Sequence, residues 1–185
     1  MIEQILLNTN SKMQKAVDAL TRDLAGIRTG RATPALVEHI RVDYHGVPTP
    51  VNQIASISIP EAKMILIQPW DRTSIRSIEK AILQSNLGLN PTNDSNIIRI
   101  AIPPLNEERR KELTKVVHKR LEEARVTLRN LRRESIEKLK WEEKNKELSQ
   151  DQYARASEQL QKLTDNFIQK VDDVGQDKET EIMEV

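Results

Sequence analysis

Residues 106–145 read NEERRKELTKVVHKRLEEARVTLRNLRRESIEKLKWEEKN, forty positions without glycine or proline. Asn106 is a good N-cap, and Glu107 and Glu108 suit the positive end of a helix. Leu113, Val116, Val117, Leu121, Ala124, Leu128 and Leu131 then recur at helical spacing, so the stretch predicts one helix running to about Asn145 and roughly 55 to 60 Å long. A helix of that length with one apolar stripe cannot bury the stripe against itself. It needs partner helices.

Both ends of the chain supply them. Leu6, Met13, Leu20 and Ile27 fall seven apart, interleaved with Val17 and Leu24, and Gly30 followed by Pro34 reads as the stop. Downstream, Ser149 and Gln152 form an S-x-x-Q capping box, after which Tyr153, Leu160, Phe167 and Val174 run at sevens with Ala156, Leu163 and Val171 between them. Three amphipathic helices predict one antiparallel three-helix bundle.

Between helices one and two the period changes. Leu36, Ile40, Val42 and Tyr44 share one face of an extended run, and 45–50 reads as a turn. Short β-rich runs follow at 54–59, 64–67 and 97–102, with a helix expected over about 74–85. The fold class is therefore α+β: a bundle from 1–29 and 106–185, with a small β/α/β domain inserted at 30–105. The inserted domain leaves and rejoins the same bundle end, so Gly30 and Arg31 on one crossing and Pro103 and Pro104 on the other should form a two-strand hinge. No internal repeat or low-complexity linker interrupts this order.

Composition bounds the chemistry. Five aromatics and 31% charged residues favour slender helical packing, and the absence of cysteine removes disulfides, thiolate catalysis and Cys-based zinc sites. No apolar run approaches membrane-spanning length and no basic leader follows Met1, so a cytoplasmic protein is expected. His39, His45 and His118 have no metal-binding spacing, and neither a phosphate loop nor a serine-nucleophile elbow is present. The expectation is a monomer that is no enzyme and holds neither cofactor nor metal.

Charge is the informative feature. Residues 106–144 hold thirteen Lys and Arg against nine Asp and Glu, whereas 145–185 hold five against ten. At about 100° per residue from Arg109, Lys111, Lys115, Lys119, Arg125, Arg129, Arg132 and Arg133 fall in a stripe between about 140° and 280°, away from the apolar seam. Charged helix faces usually carry only solvated i,i+4 pairs. Here just Glu112, Glu122 and Glu123 oppose ten cations between Arg109 and Arg133. Guanidinium forks suit phosphate oxygens, and few aromatics are available to stack bases, so folded RNA read by its backbone is the natural target. An adaptor docking its bundle on an acidic protein partner is the alternative.

Several stretches together resemble the bacterial ribosome recycling factors: IRTGRA at 27–32, DYHGVPTP at 43–50, QPWD at 68–71, IEKAI at 78–82, LGLNP at 87–91, PPLNEERRK at 103–111, ARV at 124–126 and RNLRR at 129–133. The resemblance implies an L-shaped molecule that binds the large ribosomal subunit after termination. It also implies that elongation factor G with GTP drives the factor to split the subunits. By the same resemblance Arg110, Arg129, Arg132 and Arg133 contact ribosomal RNA; Arg110 lies outside the geometric stripe. Two positions depart from the family pattern. Asn106 replaces a usual threonine with equal capping chemistry, and Ser95 stands where a turn glycine is common, which puts the shape of that turn in question.

Overall fold

The computed structural model describes residues 1–184 and divides into two compact units, one of 1–24 with 111–180 and one of 25–110 to which 181–184 also belong. The divisions fall about one helical turn to the bundle side of the expected crossings.

The first unit is built on α1 (Ile2–Ala25), α3 (Glu107–Lys144) and α4 (Gln150–Met183), with α2 (Ile75–Gln84) in the second unit. The side chains that join them give the directions. Thr9 meets Ser135 and Asp23 meets Arg120, so α1 and α3 are antiparallel, as are α3 and α4, where Arg125 meets Asp172 and His118 meets Glu179. Met13, Val17, Leu20 and Leu24 of α1 and Leu113, Val117, Leu121 and Leu128 of α3 are buried, and Leu139 is buried in a cluster with Leu148, Ala156 and Leu160. Both expected caps form: Asn106 Oδ1 accepts the Arg109 N–H at 2.7 Å, and Ser149 and Gln152 bond reciprocally at 3.1 and 2.9 Å.

Three sequence readings need correction here. The glycine that follows α1 is Gly26, not Gly30, because the helix ends at Ala25. Val116 is 41% exposed, since it lies beyond the edge of the seam that Leu113 and Val117 define. On α4 the seam continues from Val171 through Gly175 and Lys178 rather than Val174, which is only half-buried. A 3.6-residue helix drifts from a strict seven-residue repeat over this length.

The second unit comprises β1 (Arg41–Tyr44), β2 (Val47–Pro50), β3 (Ala55–Glu61), β4 (Met64–Pro69), α2 (Ile75–Gln84), β5 (Pro91–Asn93) and β6 (Ile98–Ala101). β1 and β2 form a two-stranded hairpin, and the others an antiparallel sheet in the order β3-β4-β6-β5. Ile65 lies opposite Ile100 and Ile67 opposite Ile98, all four fully buried with Ile78 and Ile82 of α2. Each such side chain contributes roughly 1.5 to 3 kcal/mol by leaving water. The expected strand over 36–44 is shorter, because Pro34 at the first position starts a one-turn 3-10 helix through Leu36. The expected turn over 45–50 contracts to His45-Gly46, and Val47–Pro50 is a strand. β5 was not legible: three residues beginning with proline carry almost no strand signal.

Candidate RNA-binding face

The core seam of α3 leaves the rest of its circumference to three environments. Towards α1, Arg120 Nε meets Asp23 Oδ2 at 3.3 Å. Towards α4, Arg125 donates to Asp172 Oδ1 from Nε and Nη2 at 3.1 and 2.6 Å, His118 pairs with Glu179, and Arg132 Nη1 donates to Gln161 Oε1. The Asp172 carboxylate, above all its hydrogen bond, holds Arg125 above the ordinary guanidinium value. Facing outward are Lys111, Lys115, Lys119, Arg129 and Arg133, all exposed.

The stripe read from the sequence is thus divided. Its outward strip keeps five cations. Arg125 and Arg132, half-buried, lean onto α4 because they stand next to the seam and the acidic helix packs alongside. The charge asymmetry between 106–144 and 145–185 is spent partly inside the bundle.

Glu122, which the sequence marked only as one of three opposing acids, sits in the middle of this arrangement. It accepts from Arg129 Nη2 at 2.6 Å and from Arg125 Nη1 at 3.3 Å. Those bonds, Arg129's first, hold its carboxyl below the usual value. Two guanidinium groups converging on one carboxylate is an arrangement that can also hold a phosphate. Only a helix-spacing test for acids at i−3 and i−7 from arginine could have found it.

Arg110 is elsewhere. It belongs to the second unit, where its Nη2 lies 3.5 Å from the Glu184 carbonyl, and it lines a cavity of about 190 Å³ with Gly30, Arg31, Pro104 and Leu105. The residues expected to form the crossings lie within the second unit and are tied there. Arg31 Nη2 contacts both Glu184 carboxylate oxygens at 2.6 and 2.5 Å, buried Thr29 donates to Glu181 at 2.7 Å, and Arg28 donates to the Pro103 carbonyl at 3.2 Å. The Ala32 and Ile102 N–H groups donate, each at 2.8 Å, to the carbonyls of Ala62 and Lys63 in one β3–β4 turn. Pro103 and Pro104 are exposed. Among the described residues no cluster of His, Cys, Asp or Glu has the makings of a metal site, and no helix is long and apolar enough to cross a membrane.

The family model for ribosome recycling factors matches residues 20–183. The chain belongs to the ribosome recycling factor family. It is 57% identical to the ribosome-recycling factor of Dehalococcoides mccartyi (strain CBDB1) and 55% identical to that of Syntrophomonas wolfei, each over 185 residues and the full length of both chains. A solution structure of a ribosome recycling factor superposes with a TM-score of 0.79 at 46% identity, covering 100% of this chain and 98% of the other. A second structure, of the T. thermophilus ribosome recycling factor with the E. coli elongation factor G bound to the E. coli post-termination complex, gives 0.70 at 46% identity with full coverage of both chains. Ser95 takes φ +79°, the left-handed conformation that glycine adopts freely.

Proposed function

We propose that this protein is a translation factor that binds the large ribosomal subunit after termination. With elongation factor G and GTP it then splits the post-termination complex, so that ribosomes leave the mRNA and are recycled. The observation that carries the reading is the match, 57% identical from end to end, to a ribosome-recycling factor. The outward strip of Lys111, Lys115, Lys119, Arg129 and Arg133 suits a phosphate backbone, and Arg110, Arg125 and Arg132 extend the contact at its margins. The factor acts in the cytoplasm as a monomer without cofactor or metal. It performs no chemistry itself; the energy for splitting comes from the GTPase. Gly30, Arg31, Pro103 and Pro104 serve as a stiff double connection through which the inserted domain transmits force.

Co-sedimentation with isolated ribosomal subunits tests the reading. The protein should pellet with the large subunit, less so as salt rises, because phosphate contacts release counterions. Arg129→Ala and Arg132→Ala should each weaken binding by about 1 to 3 kcal/mol, with unchanged helicity. Unaltered binding by both variants would remove α3 from the interface. Retention of a protein partner after ribonuclease treatment, without subunit binding, would favour the adaptor.

A further inference from the structure

We propose that the outer edge of β1 is a docking site for an extended acidic segment of a protein partner, which adds to the β1–β2 hairpin as a third strand beside α2. The inference goes beyond recycling and does not depend on it.

The phase of the hairpin decides which groups are available. His45 and Gly46 have φ of 52° and 83°, the pattern of a two-residue loop that makes Tyr44 and Val47 a hydrogen-bonded pair. Bonded and non-bonded pairs alternate from there, so Val42 and Thr49 bond, and the Val51 N–H reaches the Ile40 carbonyl at 3.0 Å in the same phase. The backbone groups of 40, 42 and 44 therefore turn towards β2. Those of Arg41 and Asp43 turn away.

The two outer edges are not equivalent. On β2 the outward positions are Pro48 and Pro50, which lack an N–H, so that edge cannot receive a strand. β5 begins with Pro91, and β3 carries Pro60 at a register shift. On β1 the outward N–H and C=O groups of Arg41 and Asp43 meet no partner among the described residues; the Asp43 carboxylate alone is engaged, accepting the Gly46 N–H at 2.8 Å.

Beside this edge lies a groove of about 640 Å³. Ser77 and Ala81 on α2 and Ser85, the residue that caps its end, line it together with Lys80 and Gln84. An extended chain takes up roughly 3.3 by 4.8 by 10 Å per residue, about 160 Å³, so the space holds about four residues. Arg41 and Lys80 both line the groove, both are exposed, and neither forms an ion pair among the described residues. A strand whose alternate side chains are carboxylates satisfies the backbone edge and both cations. An RNA strand would use the cations and could take the N–H groups through its phosphates, but it has no donors spaced for the C=O groups that alternate with them.

The test uses the full-length, isotope-labelled protein and a short end-capped peptide of alternating Glu and Val. Saturable shifts and slowed hydrogen exchange are expected at the Arg41 and Asp43 amides. Of two versions N-methylated on opposite alternate residues, one should bind at least about tenfold more weakly, because its edge-facing donors are gone. Replacing Glu by Lys in the peptide should also weaken it. Arg41→Pro, which copies the Pro48 and Pro50 device, should abolish binding, whereas Arg41→Lys should retain it. Should Arg41→Pro unfold, the N-methylated pair still decides. Absence of saturable shifts, equal binding by both N-methylated peptides, or equal perturbation of the same amides by a short RNA hairpin would overturn the proposal.

Discussion

At the scale of single residues, Glu122 sets how much of the cationic strip is available. Its carboxylate bridges Arg125 and Arg129, and its depressed pKa keeps it charged at every pH where the protein works. The sign follows from that depression: the stabilisation it gives is present above the ordinary carboxylate value of about 4.3 and is lost only as pH falls through the lower folded value. Acidification within the physiological range therefore does not release the arginines, but substitution does. Glu122→Gln should tighten large-subunit binding several-fold and steepen its salt dependence, as measured by co-sedimentation over a salt series; weaker binding would mean that Glu122 orients the arginines productively. Ser95 presents a separate local cost. Its φ of +79° strains any residue with a Cβ, while Asp94 fixes the turn by accepting the Ile97 N–H at 3.1 Å. Ser95→Gly relieves that strain and loses part of the gain to the freer unfolded chain, so a net stabilisation of about 0.5 to 1 kcal/mol is expected in urea unfolding.

At the scale of elements, the helices were legible because their signals are redundant: a seam many turns long, a capping residue at one end and a stop at the other. The same redundancy explains what was misread. Periodicity locates a seam but not its width, so it shows neither the exposure of Val116 nor the half-burial of Arg125 against Asp172 of α4. Short strands have no such redundancy. A stretch such as 36–50 mixes five β-branched residues with two prolines, and the two-residue loop at His45-Gly46 becomes evident only once the pairing of β1 with β2 is seen. Gly175 shows how closely two elements meet. A Cβ built there would lie 2.9 Å from Leu121 Cδ2 and nearer still to Cδ1, so α4 packs on α3 through the missing side chain. Leu121 is buried, so the added methyl fits only if its side chain shifts. Overpacking of this kind typically costs about 1 to 3 kcal/mol, set against less than about 1 gained from alanine's helix propensity. Gly175→Ala should therefore lower stability in thermal unfolding, and combined with Leu121→Ala, which removes the clashing atoms, it should cost less than the sum of the two single losses. A stabilised Gly175→Ala protein would show that Leu121 relaxes freely.

At the scale of the whole molecule, the question is how a cation strip on one compact unit and the connections borne by the other act in a single task. The strip lies on residues 111–133 of the first unit, while Gly30, Arg31, Pro103 and Pro104 all belong to the second. Binding and transmission should therefore be separable by mutation. Both connecting segments are anchored to the same β3–β4 turn through the Ala32 and Ile102 N–H groups, and Arg28 ties the first to the Pro103 carbonyl. Beyond Ile102, stiffness rests on Pro103-Pro104, whose rings fix φ at two successive residues. If the proposed stiff connection transmits force from a GTPase, added compliance in this segment should weaken the transmission. Replacing both prolines with glycine adds backbone freedom at two positions and removes no cation. Large-subunit binding should stay within about twofold of wild type, whereas splitting by elongation factor G and GTP, followed by light scattering of ribosomes, should slow several-fold. A single Pro104→Ala change, which restores an ordinary backbone without glycine's freedom, should fall between the two. Normal splitting by the double-glycine protein would show that stiffness here is irrelevant, and a parallel loss of binding would show that this segment helps to position the helices on the ribosome.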